Sequence, residues 1–176
     1  KASDGTTVEF YDEIKAQGGV KDVYFSTDKT YVVAFYRDPL NVNDKERVKN
    51  IVGTYRERIF TNTPDGQYWK NLFPWPSKMV EWNGKTGIVM PFYDKKFFFN
   101  GGPFDGKEKN GKWFASAKLR NRFIPADQKG NWLTHLHLCI KIARAIRRLH
   151  AAGLAHSDLS YNNVLIDPIT GSACVI

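Results

Sequence analysis

The last 45 residues combine a long amphipathic segment, a polar loop and two short apolar runs, and this order constrains the fold more than any other part of the sequence. Apolar residues recur at helical spacing along the first segment, at Leu136, Cys139, Ala143, Ile146 and Leu149. They predict a helix that begins near Trp132 and ends before Gly153. The apolar runs at residues 164–166 and 173–176 predict a small hairpin. Residues 156–163 are therefore expected to form a loop between the helix and the hairpin.

The first half of the chain has the pattern of antiparallel strands. Runs rich in Val, Tyr and Phe predict five strands, at residues 8–10, 20–25, 30–37, 78–82 and 85–92. The last two flank Asn83-Gly84, a strong signal for a hairpin turn. Between the third and fourth strands, residues 48–59 carry one apolar face at helical spacing, behind a helix cap at Asn43 or Asp44.

Two stretches are expected to be less regular. Residues 61–76 contain prolines and aromatic residues and are interpreted as a connection. Residues 97–131 are rich in Gly, Lys and Arg and are interpreted as a basic insert with one short helix near residues 114–122. The complete order predicts an α+β fold in which a β-rich lobe precedes a helix-rich lobe.

Composition excludes several classes of protein. The 176 residues are 42% apolar and 14% aromatic, which is enough for a packed core and excludes disorder of the whole chain. No run approaches the roughly 20 apolar residues of a membrane helix, and no signal peptide is visible. Two cysteines, Cys139 and Cys174, are too few for a disulfide framework, so we expect buried free thiols and a cytoplasmic protein. Because the chain lacks an initial Met and stops in an apolar run, we expect a fragment.

Positive charge is concentrated in one region. The formal net charge is +8, and residues 95–150 hold 13 Lys and Arg against only three acidic residues. Such a field attracts anionic partners such as nucleic acid. We expect a solvated face instead, although the basic segment leaves nucleic-acid binding open.

The loop at residues 156–163 carries the residues with the clearest chemistry. Asp158 and Asn163 lie five residues apart, and His156 precedes them. The pattern resembles H-R-D-x-x-x-x-N of the protein-kinase-like superfamily, in which the Asp is the catalytic base and the Asn binds a metal ion. Phosphoryl transfer needs a carboxylate at the attacking hydroxyl and hard oxygen ligands for Mg²⁺. The resemblance therefore implies a kinase that uses ATP and Mg²⁺, with Asp158 catalytic and Asn163 a metal ligand.

Two positions in this loop depart from the protein-kinase pattern. Ser157 replaces an Arg that often pairs with a phosphorylated activation loop, and Ser160 replaces a Lys usual in Ser/Thr kinases. Small-molecule kinases of the same fold also lack these basic residues. The substrate class is therefore left open by the loop itself.

The N-terminal region resembles the glycine-rich loop G-x-G-x-x-G-x-V, with Gly18, Gly19 and Val23 in matching positions. Ala16 replaces the first Gly, and Lys21 replaces the third. Glycines let backbone N–H groups approach phosphates closely. The resemblance implies a nucleotide-binding role for these residues.

The third predicted strand lacks the expected phosphate-binding lysine. Ala34 fits the Ala of V-A-I-K, but Tyr36 stands where the Lys belongs. The with-no-lysine kinases resemble this arrangement, because their lysine lies at the third glycine position of the loop. We therefore assign the phosphate-binding role to Lys21. A helix carboxylate usually holds this lysine, and Glu57 is favoured over Glu46.

The stretch at residues 89–93 resembles the hinge between kinase lobes. Met90 would be the gatekeeper, and main-chain groups near Pro91, Phe92 and Tyr93 would bind adenine. The implied organisation is an N-lobe with hinge at residues 1–93 and a partial C-lobe at residues 94–176. The metal-binding Asp of D-F-G would come at or just after Ile176, so we expect weak nucleotide binding and little turnover from these residues alone.

These resemblances define one leading function and three alternatives. The leading hypothesis is a divergent bacterial protein Ser/Thr kinase that acts on a protein substrate. The first alternative is a small-molecule kinase of the same fold, with the insert at residues 97–131 as its acceptor site. The second is a pseudokinase that serves as a binding module, which Tyr36 favours and the pair of Asp158 and Asn163 disfavours. The third is a nucleic-acid-binding role for the basic segment.

Overall fold

The structure is a computed structural model that describes residues 1–61 and 66–176. It comprises two compact units. The first consists of Lys1–Asn62 and Trp75–Phe92, and the second of Thr63–Pro74 and Tyr93–Ile176. The division into residues 1–93 and 94–176 drawn from the sequence stays a prediction.

The first unit is built on a five-stranded antiparallel sheet with the order β1-β2-β3-β5-β4. Its strands are β1 (Phe10–Gln17), β2 (Lys21–Ser26), β3 (Tyr31–Tyr36), β4 (Lys78–Trp82) and β5 (Lys85–Pro91). The predicted turn between β4 and β5 is confirmed, since both Asn83 and Gly84 have positive φ. The first strand is longer than the predicted residues 8–10. Residues 11–17 are exposed on both faces, so their sequence shows no apolar alternation.

The sheet buries both of its faces in separate apolar clusters. One face packs Tyr24, Val33 and Phe35 with Val80 and Val89. On this face Gly87 has no room for a side chain, because a Cβ there would lie 2.6 Å from the Phe35 ring. The opposite face carries a second cluster, whose members are Ala34, Val48, Ile88 and the partly buried Val23, Tyr36, Leu40, Val52, Met79 and Met90. This second face is the one on which the helix of the first unit packs.

That helix has three parts: α1 (Val42–Asn50), a π-helical turn (Ile51–Tyr55) and α2 (Arg56–Phe60). Asn41 caps it by accepting a hydrogen bond from the Asp44 N–H. The Trp75 indole N–H donates to the carbonyl of Ile51, the first residue of the π turn, over 2.8 Å. The predicted apolar face is confirmed, with Ile59 fully buried at its C-terminal end.

The described part of the second unit contains four α-helices, α3 (Gly66–Leu72), α4 (Lys112–Ala115), α5 (Ala117–Phe123) and α6 (Trp132–Ala151), and the hairpin of β6 (Val164–Asp167) and β7 (Ser172–Val175). The long helix and the hairpin were predicted. The predicted connection at residues 61–76 lies partly outside the described residues, and α3 occupies much of the rest. The predicted insert forms two short helices where one was expected.

The packing of α6 corrects two expectations. Its buried residues are Leu138, Ala145 and Leu149, whereas Leu136 and Cys139 are exposed. Of the predicted stripe, Leu149 is buried and Ile146 half-buried, whereas the positions nearer the start of the helix are exposed. The expectation of two buried thiols is therefore wrong for Cys139, while Cys174 is buried as predicted.

A tight contact joins the start of α6 to the hairpin. Gly130 has φ +66°, and a Cβ there would lie 2.5 Å from Pro168. Only glycine meets both conditions at this position. Asn131 then caps α6 in a reciprocal capping box with Thr134. Among the described residues, no helix is both long and apolar enough to cross a membrane.

Candidate functional site

The loop after α6 brings Asp158 and Asn163 into direct contact. The Asn163 side-chain amide donates to the Asp158 backbone carbonyl over 2.7 Å and to its carboxylate Oδ2 over 2.8 Å. These two bonds close the five-residue loop and orient both side chains. Asp158 is exposed and Asn163 half-buried, so the carboxylate is accessible to a substrate. Because the amide nitrogen is used in this way, the amide oxygen of Asn163 is the atom left for a cation.

The hairpin holds this loop in place through backbone bonds. The Asn163 N–H donates to the Ser160 carbonyl, and the Asn163 carbonyl accepts from the Ile176 N–H over 2.9 Å. His156 Nε2 lies 2.8 Å from the Ile176 carbonyl oxygen. This contact supports a structural role for His156. The His156 Nδ1 atom is buried and has no partner among the described residues.

A buried ion pair lies behind β6 and ties the predicted insert to the hairpin. Lys109 Nζ lies 3.5 Å from Asp167 Oδ1 and donates to the Lys96 carbonyl over 3.0 Å. Lys109 is 6% exposed and Asp167 3%. Asp167 also accepts two hydrogen bonds from Thr170. The sequence offers no signal for this pair, since the two residues lie 58 positions apart.

The glycine turn between β1 and β2 is held by an arginine that sequence reasoning did not assign. The Arg37 guanidinium donates to the Gly18 carbonyl over 2.9 Å and also to the Gly19 carbonyl. It also lies 3.6 Å from the buried carboxylate of Asp22, which accepts from the Gln17 side chain. These contacts restrict a turn whose glycines contribute no side chains. Arg37 lies on the sheet face opposite Lys21, as strand alternation predicts.

Lys21 and Tyr36 are direct cross-strand partners. The Lys21 ammonium lies over the Tyr36 ring, with Nζ 4.6 Å from the ring centroid. Burial lowers the pKa of Lys21 from its ordinary value and raises that of Tyr36. The ammonium therefore stands over the position that a β3 lysine would occupy.

The predicted nucleotide-binding residues of the sheet share the face that carries Lys21. Val23 pairs with Ala34 across β2 and β3, and both belong to the cluster that includes Met90. Of the remaining predicted residues, Pro91 ends β5 opposite Tyr31, and two residues follow the strand. Phe92 packs edge-to-face on Phe25 in the first unit, and Tyr93 packs in the core of the second unit.

The structure does not bring Glu57 to Lys21. Glu57 is exposed on α2, and Lys21 forms no ion pair with any described side chain. The helix positions that pack against the sheet beside Tyr36 are the apolar Val48 and Val52. The ring of Tyr36 is therefore the observed neighbour of the Lys21 ammonium.

The oxygen donors of the loop suit a hard cation such as Mg²⁺. Asn163 offers one amide oxygen, beside the accessible carboxylate of Asp158. The described residues contain no cluster of three or more His, Cys, Asp or Glu side chains that could hold a metal ion. A bound Mg²⁺ would therefore use Asn163 as one ligand and would depend on phosphate oxygens and water for most of the others.

Comparisons with known proteins identify the fold. No protein-family model matches the sequence, and a search of curated protein sequences finds no match. Solved structures do match. The structure of vaccinia related kinase 3 aligns with a TM-score of 0.59 and 10% identity, over 99% of this chain and 48% of that one. The kinase domain of PknI from Mycobacterium tuberculosis aligns with a TM-score of 0.55 and 15% identity, over 98% of this chain and 60% of that one.

These alignments show a protein-kinase-like α+β fold, which confirms the fold expected from the motif around Asp158. The chain spans about half to three-fifths of the length of the two kinase structures. At these identities the likeness concerns the fold alone. The functional roles of individual residues therefore rest on the geometry described above.

Proposed function

We propose that this chain belongs to an ATP-dependent kinase that phosphorylates a Ser or Thr hydroxyl of a protein. The observation that carries the proposal is the contact between Asp158 and Asn163, in which one amide orients both the backbone and the carboxylate of the residue that would receive the proton. The fold shared with two structures named as kinases supports the same class of reaction.

The proposed reaction transfers one phosphoryl group. The acceptor hydroxyl oxygen attacks the γ-phosphorus of ATP, the bond from that phosphorus to the β,γ-bridging oxygen breaks, and ADP leaves. The hydroxyl proton passes to the Asp158 carboxylate. Asn163 holds Asp158 in position and would ligate Mg²⁺, whose contribution is to neutralise phosphate charge. Catalysis of this kind depends on positioning and electrostatics.

Lys21 would neutralise the phosphates in place of the missing β3 lysine. Its ammonium lies over Tyr36, and its lowered pKa reflects the cost of burying that charge without an anion. A phosphate would remove this cost. Arg37 would act as a positioning residue, because it binds the carbonyls of the glycine turn from the other face of the sheet.

Substitution of Asp158 tests the reaction. In the full product of the gene, Asp158→Asn should lower the rate of transfer to Ser and Thr peptides by about 10²- to 10⁴-fold, the usual contribution of a positioned base. ATP affinity should stay within about twofold, because the carboxylate acts on the acceptor. Asp127→Asn, which changes an exposed carboxylate of the same unit, is the matched control. An unchanged rate in Asp158→Asn contradicts the proposed role.

The acceptor class needs a separate experiment, because Ser157 and Ser160 replace two basic residues of the protein-kinase pattern. The wild-type protein is incubated with labelled ATP and with peptide, sugar, lipid and aminoglycoside alcohols in parallel. Label in Ser or Thr peptides supports the proposal. Label confined to a small alcohol assigns the protein to the small-molecule kinases of this fold.

A second candidate function is nucleotide binding without transfer. A specific observation favours it: the helix residues that pack beside Tyr36 are the apolar Val48 and Val52, and not a carboxylate that could hold Lys21. Glu57, the predicted carboxylate, is exposed. ATP with Mg²⁺ would then raise the melting temperature by mass action while no ADP forms. Lys21→Met should abolish that rise in either case, so ADP formation is the measurement that separates the two functions.

A further inference from the structure

The half-buried ammonium of Lys21 contacts an aromatic ring, and no carboxylate of a described residue pairs with it. Its Nζ atom lies 4.6 Å from the centroid of the Tyr36 ring, which belongs to the neighbouring strand. The backbone of Lys21 is fixed as well, because its carbonyl accepts from the Gly18 N–H over 2.9 Å. The ring of Tyr36 therefore occupies the place of the counter-ion that a cation in this setting usually has.

Two carboxylates near this pair already have cationic partners. Asp22, the next residue along β2, faces the other side of the sheet and lies 3.6 Å from Arg37. Asp44, at the start of α1, pairs with Arg47 over 3.1 Å. Burial and, to a smaller extent, the charge of Asp44 raise the pKa of Tyr36, so this carboxylate is a neighbour of the ring. Neither carboxylate is left to hold the ammonium.

Apolar packing holds the Tyr36 ring in one position. The ring packs against the cluster of Ala34, Val48 and Ile88, which joins the sheet to α1. The face of an aromatic ring attracts a cation, and the attraction grows as water is excluded from the contact. A long, flexible lysine side chain that is already held on a fixed ring loses less conformational freedom when it binds an anion.

We propose that Tyr36 is the positioning residue of Lys21 and takes the role that a helix carboxylate would have in the binding of ATP phosphates. This role rests on the proposed function, in which Lys21 neutralises those phosphates. The ring attracts the ammonium without cancelling its charge, so the full positive charge remains available to the nucleotide. Because the ring belongs to the sheet, nucleotide affinity does not depend on a carboxylate of α1 or α2.

Ligand affinities test this role in the full product of the gene. Tyr36→Leu and Tyr36→Met remove the ring and keep an apolar side chain, whereas Tyr36→Phe keeps the ring without its hydroxyl. Loss of the ring should weaken the binding of ATP with Mg²⁺ by about 3- to 30-fold, the usual strength of a cation–π contact, and Tyr36→Phe should stay within about twofold. Adenosine, which has no phosphates, should bind the wild type and all three variants equally. Tyr11→Leu, which removes an exposed tyrosine ring from β1, is the matched control.

Four results would overturn the role of Tyr36. Equal losses for ATP and adenosine would mean that the ring only shapes the pocket. A loss in Tyr36→Phe as large as in Tyr36→Leu would assign the effect to the hydroxyl. Tighter ATP binding in Tyr36→Leu would mean that the ring withdraws the ammonium from the phosphates. A loss of the same size in E46Q/E57Q would mean that a helix carboxylate holds the lysine after all.

NMR separates this role from the proposed function. With isotopically labelled lysine, Lys21→Met identifies the Lys21 signal, and the ring should shift the protons beside Nζ upfield. We expect this shift to vanish in Tyr36→Leu and Tyr36→Met and to remain in Tyr36→Phe; its absence from the wild type overturns the contact. A wild type that binds no ATP overturns the proposed function and this role together. ATP binding that Lys21→Met abolishes and Tyr36→Leu leaves unchanged overturns the role of Tyr36 alone.

Discussion

Removal of the Lys109 ammonium should destabilise the second unit strongly. Lys109 and Asp167 are both more than nine-tenths buried, and Nζ and Oδ1 lie 3.5 Å apart. Lys109→Met keeps the length and most of the apolar volume of the side chain but leaves the Asp167 carboxylate without its cation. Breaking one side of a buried ion pair typically costs about 3–5 kcal/mol. Thr170 still donates twice to Asp167, so we expect the lower end, about 3 kcal/mol.

Urea denaturation followed by circular dichroism measures this change in the free energy of unfolding. Lys118→Met, at an exposed position of α5, is the control and should change it by less than about 0.5 kcal/mol. The double variant K109M/D167N should cost less than the sum of its single variants, since neither unpaired charge remains. A loss below about 1 kcal/mol in Lys109→Met, or strict additivity in the double variant, would refute the reasoning.

Three further predictions concern conformation, thiol reactivity and pH. Gly130→Ala should destabilise the protein by roughly 2–5 kcal/mol in urea denaturation, because the positive φ is strained and the new Cβ would clash with Pro168. Gly106→Ala, which has a positive φ but open space around the Cβ, should cost only about 1–2 kcal/mol. At pH 8 a thiol reagent should modify the exposed Cys139 at once and leave Cys174 unmodified until the protein unfolds, since burial raises the pKa of Cys174 to about 12. Cys139→Ser should remove the rapid phase of the reaction with the reagent, which checks that this phase comes from Cys139. Burial lowers the pKa of Lys21, so the unfolded chain binds more protons than the folded one at alkaline pH. The free energy of unfolding should therefore rise with pH between the pKa of Lys21 in the folded protein and about 10.4, its ordinary value. Lys21→Met should lack that rise.

Much of the fold could be predicted because its signals are local. Runs rich in Val, Tyr and Phe predicted β2, β3, β4 and β5, and Asn83-Gly84 predicted one turn. The motif around Asp158 and Asn163 was sufficient to indicate the kinase-like fold. Local patterns failed in segments whose buried and exposed positions do not differ in polarity. The exposed end of β1 shows no alternation, and α6 carries apolar residues at exposed as well as buried positions.

The supporting contacts of the site could not be predicted, because they join distant positions. Arg37 donates to backbone carbonyls 18 and 19 residues away. Every residue has a backbone carbonyl, so the sequence does not indicate which ones Arg37 contacts. Lys109 contacts the Asp167 carboxylate only when the hairpin is folded. The choice of Lys21 as the phosphate-binding residue remains a prediction, and its position across from Tyr36 is consistent with it. The choice of Glu57 rested on position along a helix, and Glu57 lies on the exposed side of α2.

The five-residue turn at Ile51–Tyr55 makes one stretch of the helix tolerant of a single deletion. A π turn accommodates about one residue more than an α-helical turn of nearly the same arc. Gly53 and Thr54 are exposed, and loss of either would convert the turn to α-helix while Ile59 and Phe60 keep facing the core. In a library of single-residue deletions, these two sites should therefore be less damaging than sites in α1 or α2, where loss of one residue rotates the rest of the helix by about 100°.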